Sequence, residues 1–160
     1  MSADVIHLLV REGATVAVAE SITGGLIGAT LTTPMGASKA FRGGVIAYAT
    51  ELKARLLGVP EDLLAREGAV HPEVAAAMAE GVRKLTGADY GLAVTGVAGP
   101  DIQDGKAVGT VHIGLAGPSG RIWHRDIQLS GSREDIRNET SKEAIDLLRG
   151  VLQANSGEHS

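Results

Sequence analysis

The stretch that most constrains the fold is residues 15–31, where a short apolar run passes through a turn into a helical pattern. Residues 15–19 (TVAVA) are apolar and partly β-branched, which predicts a buried strand. Apolar residues recur at helical spacing over 26–31. The turn between them contains two hydroxyl residues and two glycines, which are Ser21, Thr23, Gly24 and Gly25. We therefore expect Ser21 at the carboxyl end of a strand, where open α/β sheets bind their ligands.

Two interpretations of this turn remain open. Ser and Thr are preferred helix N-caps, so Ser21 or Thr23 could serve only to satisfy first-turn N–H groups. Alternatively, Ser21 is a nucleophile, because the glycines let the backbone approach a ligand closely and a helix N-terminus presents N–H groups to an anion or oxyanion. The turn by itself does not decide between them.

The composition excludes several other classes of protein. The net charge is −4 with scattered basic residues, and there are only one Phe, one Trp and two Tyr, which argues against a nucleic-acid partner. No apolar run reaches the roughly 20 residues that span a bilayer, and the N-terminus lacks the pattern of a signal peptide. The chain has no Cys, so it has no thiolate metal site. We expect a cytoplasmic protein that does not bind membranes.

The same alternation of strand and helix continues along the chain. The length of 160 residues predicts one domain over 1–152, followed by a disordered tail at 153–160. Apart from 15–31, the patterns predict helices at 3–12, 51–57 and 72–86, a helix beginning at Ser132, and strands within 41–49, 90–95, 108–115 and 122–129. Asp135, three residues after Ser132, completes a capping box. Because the last two strands form a hairpin, these elements predict a three-layer α/β/α sandwich with a mixed parallel/antiparallel sheet.

Ser21, Tyr48 and Thr95 each follow or end a predicted strand, so we expect them at one edge of the sheet. The five His are isolated, which predicts neither a metal site nor a Ser–His pair. A lysine activates serine in other hydrolases when burial lowers its pKa. Lys53 lies one helical turn beyond Tyr48 and can reach the sheet edge, although a solvated helix lysine is the ordinary alternative.

These residues together resemble the CinA C-terminal domain family over residues 3–152. The matching segments, in chain order, are 19–25 (AESITGG), 43–48 (GGVIAY), 53–59 (KARLLGV), 68–70 (GAV), 93–101 (AVTGVAGPD), 108–111 (VGTV) and the pair Arg133 and Arg137. Characterised members are nicotinamide-nucleotide amidohydrolases of the PncC type. The resemblance implies hydrolysis of the carboxamide of nicotinamide mononucleotide to nicotinate mononucleotide and ammonia, with neither a metal nor a cofactor. The length suggests the stand-alone form, without the additional N-terminal domain of full-length CinA proteins.

The resemblance also implies roles for individual residues. Ser21 matches the nucleophile, and Lys53 and Tyr48 match residues that assist it, with the general base left open between them. Thr95 matches a hydroxyl near the nucleophile. The residues implied in substrate binding are Thr23, Gly24 and Gly25, through their backbone N–H groups, and Arg137 and Arg133, toward phosphate.

Two departures from the family pattern affect these expectations. Ile22 stands where the family usually has Cys, which is not assigned the attack. Ser132 replaces an Asp, which removes a negative charge near Arg133, where the family pattern implies phosphate and subunit contacts. We keep as alternatives an inactive pyridine-nucleotide-binding or regulatory domain and a hydrolase of another pyridine amide. We also expect a homo-oligomer.

Overall fold

The computed structural model describes residues 2–158. Six helices and five strands are arranged along this part of the chain, together with two short 3₁₀ turns. The elements in order are α1 (Ser2–Glu12), β1 (Val16–Glu20), α2 (Leu26–Thr32), a 3₁₀ turn (Ala37–Lys39), β2 (Phe41–Ile46), α3 (Thr50–Leu57), α4 (Glu61–Glu67), α5 (Pro72–Thr86), β3 (Tyr90–Gly96), β4 (Thr110–Ala116), a 3₁₀ turn (Pro118–Gly120), β5 (Ile122–Gln128) and α6 (Arg133–Glu158).

The five strands form one mixed sheet in the order β2-β1-β3-β4-β5. β1 runs parallel to both β2 and β3. β4 is antiparallel to β3, and β5 is antiparallel to β4, as the hairpin pattern predicts. The predicted three-layer fold with a mixed sheet is therefore confirmed.

The two faces of the sheet are covered by different sets of helices. α1, α2 and α6 pack on the face that carries the larger side chains of the central strands, such as Val18, Leu92 and Ile113. α3, α4 and α5 cover the opposite face, where Ala17 and Ala93 point from the same strands. The alternation follows from strand geometry, since successive side chains point to opposite faces.

Small residues let α5 approach the sheet closely. A Cβ atom added to Gly91 of β3 would lie 2.1 Å from the Ala79 carbonyl oxygen, and one added to Gly114 of β4 would lie 2.7 Å from that of Ala75. These distances leave no room for a side chain at either strand position. The high glycine content of the chain thus includes positions where the helix backbone lies directly against the sheet.

The structure differs from the sequence expectations mainly at the C-terminus. α6 continues to Glu158, so residues 153–158 are helical rather than a disordered tail, and residues 159–160 lie outside the described part of the chain. The helix is anchored there because Leu152 is buried and the Asn155 amide donates a hydrogen bond to the Tyr90 hydroxyl at 3.0 Å.

The predicted capping box at the start of α6 is present. Ser132 donates its backbone N–H to Asp135 Oδ2 at 3.0 Å, and the Asp135 N–H donates to Ser132 Oγ at 3.1 Å. Each side chain therefore satisfies a backbone donor at the helix start, with Asp in the position that Glu usually takes.

Two helix glycines give a matched test of this packing. A Cβ at Gly81 of α5 would lie 1.9 Å from the Leu57 carbonyl oxygen of α3, whereas a Cβ at Gly150 of α6 meets nothing within 4 Å. We expect Gly81→Ala to lower the free energy of unfolding by about 1–3 kcal/mol through overpacking. Gly150→Ala should raise it by up to about 1 kcal/mol, because Ala favours the helix.

Urea denaturation of both variants beside the wild type measures these changes. Equal stabilisation by the two substitutions would show that α3 does not approach α5 at Gly81.

Candidate active site

The carboxyl ends of the three parallel strands meet at one edge of the sheet. Glu20, the last residue of β1, pairs with Ile46, the last residue of β2. β3 ends beside them at Gly96. The residues that follow β1 and β2 are therefore brought together by the sheet, although more than 20 positions separate them in sequence.

The turn after β1 is shaped by the Glu20 side chain. Gly24 (φ 60°) and Gly25 (φ 109°) both have left-handed backbone conformations, and α2 begins only after Gly25. Neither hydroxyl residue caps α2. Glu20 instead accepts hydrogen bonds from the N–H groups of Gly25, Ile27 and Gly28 at 2.9–3.1 Å. The N-cap interpretation of Ser21 and Thr23 is therefore wrong. The carboxylate of Glu20, which precedes the turn, accepts the N–H groups that an N-cap side chain would otherwise accept.

Ser21 lies against Lys53 in the buried floor of the site. Lys53 Nζ is 2.9 Å from Ser21 Oγ, 2.7 Å from the Ala47 carbonyl oxygen and 3.4 Å from the Tyr48 carbonyl oxygen. Lys53 is 1% exposed and Ser21 is 7% exposed. Lys53 lies on α3, which starts just beyond β2, so its stem extends back under the strand ends to reach Ser21.

Burial changes the acidity of this lysine. Desolvation lowers the pKa of Lys53 from 10.5 to about 8, because burial penalises the charged ammonium, while the negative charge of Asp104 opposes the shift. The amine is therefore neutral in a useful fraction of molecules at slightly alkaline pH. A pKa in this range suits a general base.

Both protonation states of Lys53 fit the three oxygens around it. The ammonium form has three N–H groups, one for each oxygen. The neutral amine has two N–H groups, which can remain on the Ala47 and Tyr48 carbonyls, and a lone pair that can accept the Ser21 hydroxyl proton. The two carbonyls thus orient the amine toward Ser21 when it is able to act as a base.

Among the described residues, neither Tyr48 nor Thr95 makes a hydrogen bond to Ser21. Tyr48 is 61% exposed, and its hydroxyl accepts a hydrogen bond from Arg133 at 3.0 Å. Its contact with Lys53 is made by its backbone carbonyl, so the geometry favours Lys53 over Tyr48 as the base. Thr95 is buried and donates its hydroxyl to the Ala69 carbonyl oxygen at 2.8 Å, which fixes the segment that precedes α5.

The two arginines of α6 have different contacts. Arg137 donates Nε to the Ile22 carbonyl at 3.0 Å and Nη2 to the Thr23 carbonyl at 3.2 Å, so it holds the turn from outside. Arg133 donates Nη1 to the Gly99 carbonyl at 2.7 Å and Nη2 to the Tyr48 hydroxyl. Arg133 therefore bridges two segments at the rim of the site, whereas Arg137 acts mainly on the turn.

The backbone N–H groups of the turn are only partly available to a ligand. Those of Gly24 and Gly25 are engaged by the Ser21 carbonyl and by Glu20. Within residues 2–158 no acceptor is recorded for the N–H groups of Ile22 and Thr23. Of the three donors predicted from sequence, Thr23 is therefore the one whose backbone N–H has no acceptor among the described residues.

A pocket of about 390 Å³ opens above Ser21. That volume lies in the range of small-molecule sites. Its walls come from the turn after β1, from Tyr48, from the loop that follows β3, and from α6; the lining residues are Ser21, Ile22, Tyr48, Gly96, Val97, Ala98, Gly99, Pro100, Asp101, Ile102, Gln103 and Arg133. A second, more open cavity beside Gly24 and Gly25 shares Arg133 with it. The Ser21 hydroxyl, with the Lys53 amine beside it, therefore borders a pocket that can hold a small molecule.

Sequence reasoning missed three contributors to this site. Glu20 shapes the turn, the Ala47 carbonyl orients Lys53, and Asp104 sets part of the electrostatic field at Lys53. The sequence does place Glu20 next to Ser21, but an acidic residue at a strand end does not reveal that its side chain folds back over the turn.

The histidines show ordinary structural roles where the structure gives them contacts. His71 Nδ1 accepts the Glu73 N–H at the start of α5, and His112 pairs with Asp126 across β4 and β5. No cluster of three or more His, Asp or Glu suited to a metal occurs in the described part of the chain. Among the same residues, no helix is both long enough and apolar enough to cross a bilayer.

Comparisons with known proteins agree with this fold. A CinA-like protein of Frankia casuarinae is 59% identical over 148 residues, which cover 92% of this chain and 34% of that protein. A CinA-like protein of Desulfotalea psychrophila is 49% identical over 153 residues, covering 95% of this chain and 37% of that protein. The chain thus spans about a third of the length of these curated relatives.

Solved structures match over nearly the whole chain. A CinA superfamily protein from Klebsiella pneumoniae superposes with a TM-score of 0.91 at 28% identity, covering 96% of each chain. The competence/damage inducible protein CihA from Agrobacterium tumefaciens gives a TM-score of 0.90 at 33% identity, covering 95% of this chain and 93% of that one. The sequence profile of the CinA C-terminal domain matches residues 1–152, and the chain belongs to this family.

Proposed function

We propose that the domain hydrolyses the carboxamide of nicotinamide mononucleotide to nicotinate mononucleotide and ammonia. The observation that carries the proposal is the contact between Ser21 Oγ and the buried amine of Lys53 at 2.9 Å, below a pocket of small-molecule size. An activated serine beside a lysine is the arrangement of a metal-independent acyl-transfer hydrolase. The family membership and the resemblance of the site motifs to characterised amidohydrolases support the choice of substrate.

The first half of the reaction forms an acyl-enzyme. Neutral Lys53 takes the proton of the Ser21 hydroxyl while Oγ attacks the carboxamide carbon, which gives a tetrahedral oxyanion. The Lys53 ammonium then gives its proton to the departing nitrogen, and the C–N bond breaks. Ammonia leaves, and the acyl group remains on Ser21 as an ester.

The second half returns the enzyme to its starting state. Lys53, again neutral, takes a proton from water as the water oxygen attacks the ester carbon. The C–Oγ bond breaks, Ser21 recovers its proton from Lys53, and nicotinate mononucleotide is released. The N–H groups of Ile22 and Thr23 are our candidates for stabilising the oxyanion in both halves, since they have no acceptor among the described residues.

The pocket also offers partners for the rest of the substrate. The pyridine ring of this nucleotide carries a positive charge, which an exposed aromatic face and a nearby carboxylate both favour. Tyr48 and Asp101 line the pocket and supply these two groups. Arg133 is our candidate for the phosphate, because it lies at the rim between both cavities and an arginine fork matches phosphate oxygens.

Cellular location and assembly remain predictions from the sequence. The absence of cysteine and the proposed nucleotide substrate support a cytoplasmic enzyme. A homo-oligomer is proposed on the alanine-rich helices alone.

The proposed function predicts that purified protein releases ammonia from nicotinamide mononucleotide without added metal. Ser21→Ala should lower this rate by about 10³-fold or more, because the nucleophile is removed. Ser38→Ala, a matched substitution at an exposed serine of the first 3₁₀ turn, should leave it unchanged. Ammonia release and isothermal titration calorimetry with the same ligand measure turnover and binding separately.

Tight binding of the nucleotide without ammonia release by the wild type would contradict the hydrolase and favour an inactive binding domain. Equal rates for wild type and Ser21→Ala would remove Ser21 from the mechanism.

The pKa of Lys53 predicts the pH dependence. Because the reaction needs the neutral amine, kcat/KM should rise with pH and level off above about pH 8. Asp104 raises the pKa of Lys53, so Asp104→Asn should move this rise to lower pH. Because Asp104 is exposed, solvent screens its charge, and we expect a displacement of less than about one pH unit.

Asp62→Asn removes an exposed carboxylate on α4 and is the matched control, for which no displacement is expected. A profile that is flat between pH 6 and 9, with binding intact, would show that Lys53 does not act as the base.

A further inference from the structure

Glu20 and Lys53 are the two buried charged side chains among residues 2–158, and the proposed reaction uses only Lys53. Glu20 is 1% exposed and directly precedes Ser21. We propose that Glu20 is a positioning residue for Ser21, holding the turn so that Oγ faces Lys53 and filling the α2 N-terminus so that the substrate phosphate cannot occupy it. This inference rests on the proposed function for its kinetic readout and for the phosphate of the substrate.

The carboxylate of Glu20 accepts four hydrogen bonds. Oε1 accepts from the Thr23 hydroxyl at 2.5 Å and from the N–H groups of Gly25 at 3.1 Å and Ile27 at 3.0 Å. Oε2 accepts from the Gly28 N–H at 2.9 Å. A carboxylate accepts hydrogen bonds at both oxygens, which is the pattern that this set of donors requires.

No cation is paired with this carboxylate among residues 2–158. The stabilisation comes from the backbone donors and from the positive end of the α2 dipole. Burying a charged group without a counter-ion is costly unless its hydrogen bonds are complete. The hydrogen bonds that accompany this burial hold residues 21–25 in one conformation.

A second set of bonds connects Glu20 to Lys53. The Glu20 carbonyl accepts the Ala47 N–H at 2.8 Å, and the Ala47 carbonyl accepts from Lys53 Nζ at 2.7 Å. The backbone of Glu20 therefore helps to fix the position of Lys53 through Ala47. The side chain of Glu20 fixes the turn that carries Ser21. The separation of Oγ and Nζ depends on both halves of this one residue.

The same contacts exclude an alternative site for phosphate. The N–H groups at the start of α2 that could face an anion are those of Gly25, Ile27 and Gly28, and all three are bound by Glu20. A phosphate there would have to displace a buried carboxylate of the same sign. These N–H groups are therefore closed to the phosphate, and Arg133, which lines both cavities, is left as its partner.

Glu20→Gln is the sharpest substitution because it keeps the shape of the side chain. Its amide oxygen can retain the three bonds made by Oε1, but its NH₂ group would confront the Gly28 N–H, so two donors would face each other. We expect kcat for nicotinamide mononucleotide to fall by about tenfold or more, because misplacement of the nucleophile raises the barrier. KM should change by less than about twofold, since Glu20 does not contact substrate.

Two further variants distinguish a positioning role of Glu20 from a general loss of folding or of substrate binding. Glu61→Gln removes a carboxylate from the first turn of α4, an exposed position, and should leave kcat unchanged. Arg133→Met should give the opposite split, with KM raised and kcat largely retained, if Arg133 holds the phosphate. Thermal melting checks that each variant is folded. If Glu20→Gln does not fold, Thr23→Val removes a single bond to Glu20 and should lower kcat in the same way by a smaller factor.

A readout that does not depend on the substrate completes the test. Labelling of Ser21 by a fluorophosphonate probe reports the reactivity of Oγ directly, and the rate should fall in Glu20→Gln by a factor similar to that of kcat. Labelling that behaves this way in a protein without amidase activity would refute the proposed substrate and leave the role of Glu20 supported. Unchanged kcat and labelling in a folded Glu20→Gln protein, a rise in KM alone, or a wild type that neither turns over nor is labelled would overturn the inference.

Discussion

The geometry of the site depends on two hydrogen bonds made by the backbone of Ala47. Its N–H donates to the Glu20 carbonyl at the end of β1, and its carbonyl accepts from the Lys53 amine. One fully buried residue therefore links the lysine to the strand that leads into Ser21. The parallel pairing of β1 and β2 places the backbone of Ala47 beside the end of β1, so the sheet contributes to bringing Lys53 close to Ser21.

Burying Lys53 has a cost that the rest of the fold must offset. A pKa of about 8 in place of 10.5 corresponds to a loss of stability on the order of 3 kcal/mol at neutral pH relative to an exposed lysine. The folded state disfavours the ammonium, so this cost is fully present below about pH 8 and diminishes as pH rises toward 10.5, where the unfolded lysine also loses its proton. The tight packing of α5 on the sheet and the two apolar cores contribute the stability that makes such a site possible.

Much of the architecture could be predicted from local patterns. The strand, turn and helix of residues 15–31, the hairpin before α6 and the capping box at Ser132 each follow from residue types at short range. The disordered tail was a wrong prediction, because polar residues after 152 do not reveal that Asn155 reaches Tyr90 across the fold. Such a contact depends on the placement of a helix against a distant strand.

In the candidate site, too, some residues could be predicted from local sequence patterns and others depend on contacts between distant segments. Ser21 and Lys53 are identifiable because each follows a strand that ends at the same edge. The role of Glu20 depends on the left-handed conformations of Gly24 and Gly25, which let its side chain meet the start of α2. Arg133 and Arg137 lie one turn apart on the same face of α6, so the placement of that helix along its axis determines which one reaches the pocket and which one holds the turn.

The proposed cleavage of the amide passes through an acyl group on Ser21, and the partitioning of that intermediate between water and a second nucleophile reveals whether it forms. Nicotinamide mononucleotide and its N-methylcarboxamide analogue would give the same acyl-enzyme, because they differ only in the leaving amine. Hydroxylamine competes with water for this acyl-enzyme and converts it to a hydroxamate. At a given hydroxylamine concentration, the account predicts the same ratio of hydroxamate to acid from both substrates, because the leaving group has already departed. Ratios that differ between the two substrates, or acid alone from both, would contradict a shared acyl-enzyme and the role of Ser21 as the nucleophile.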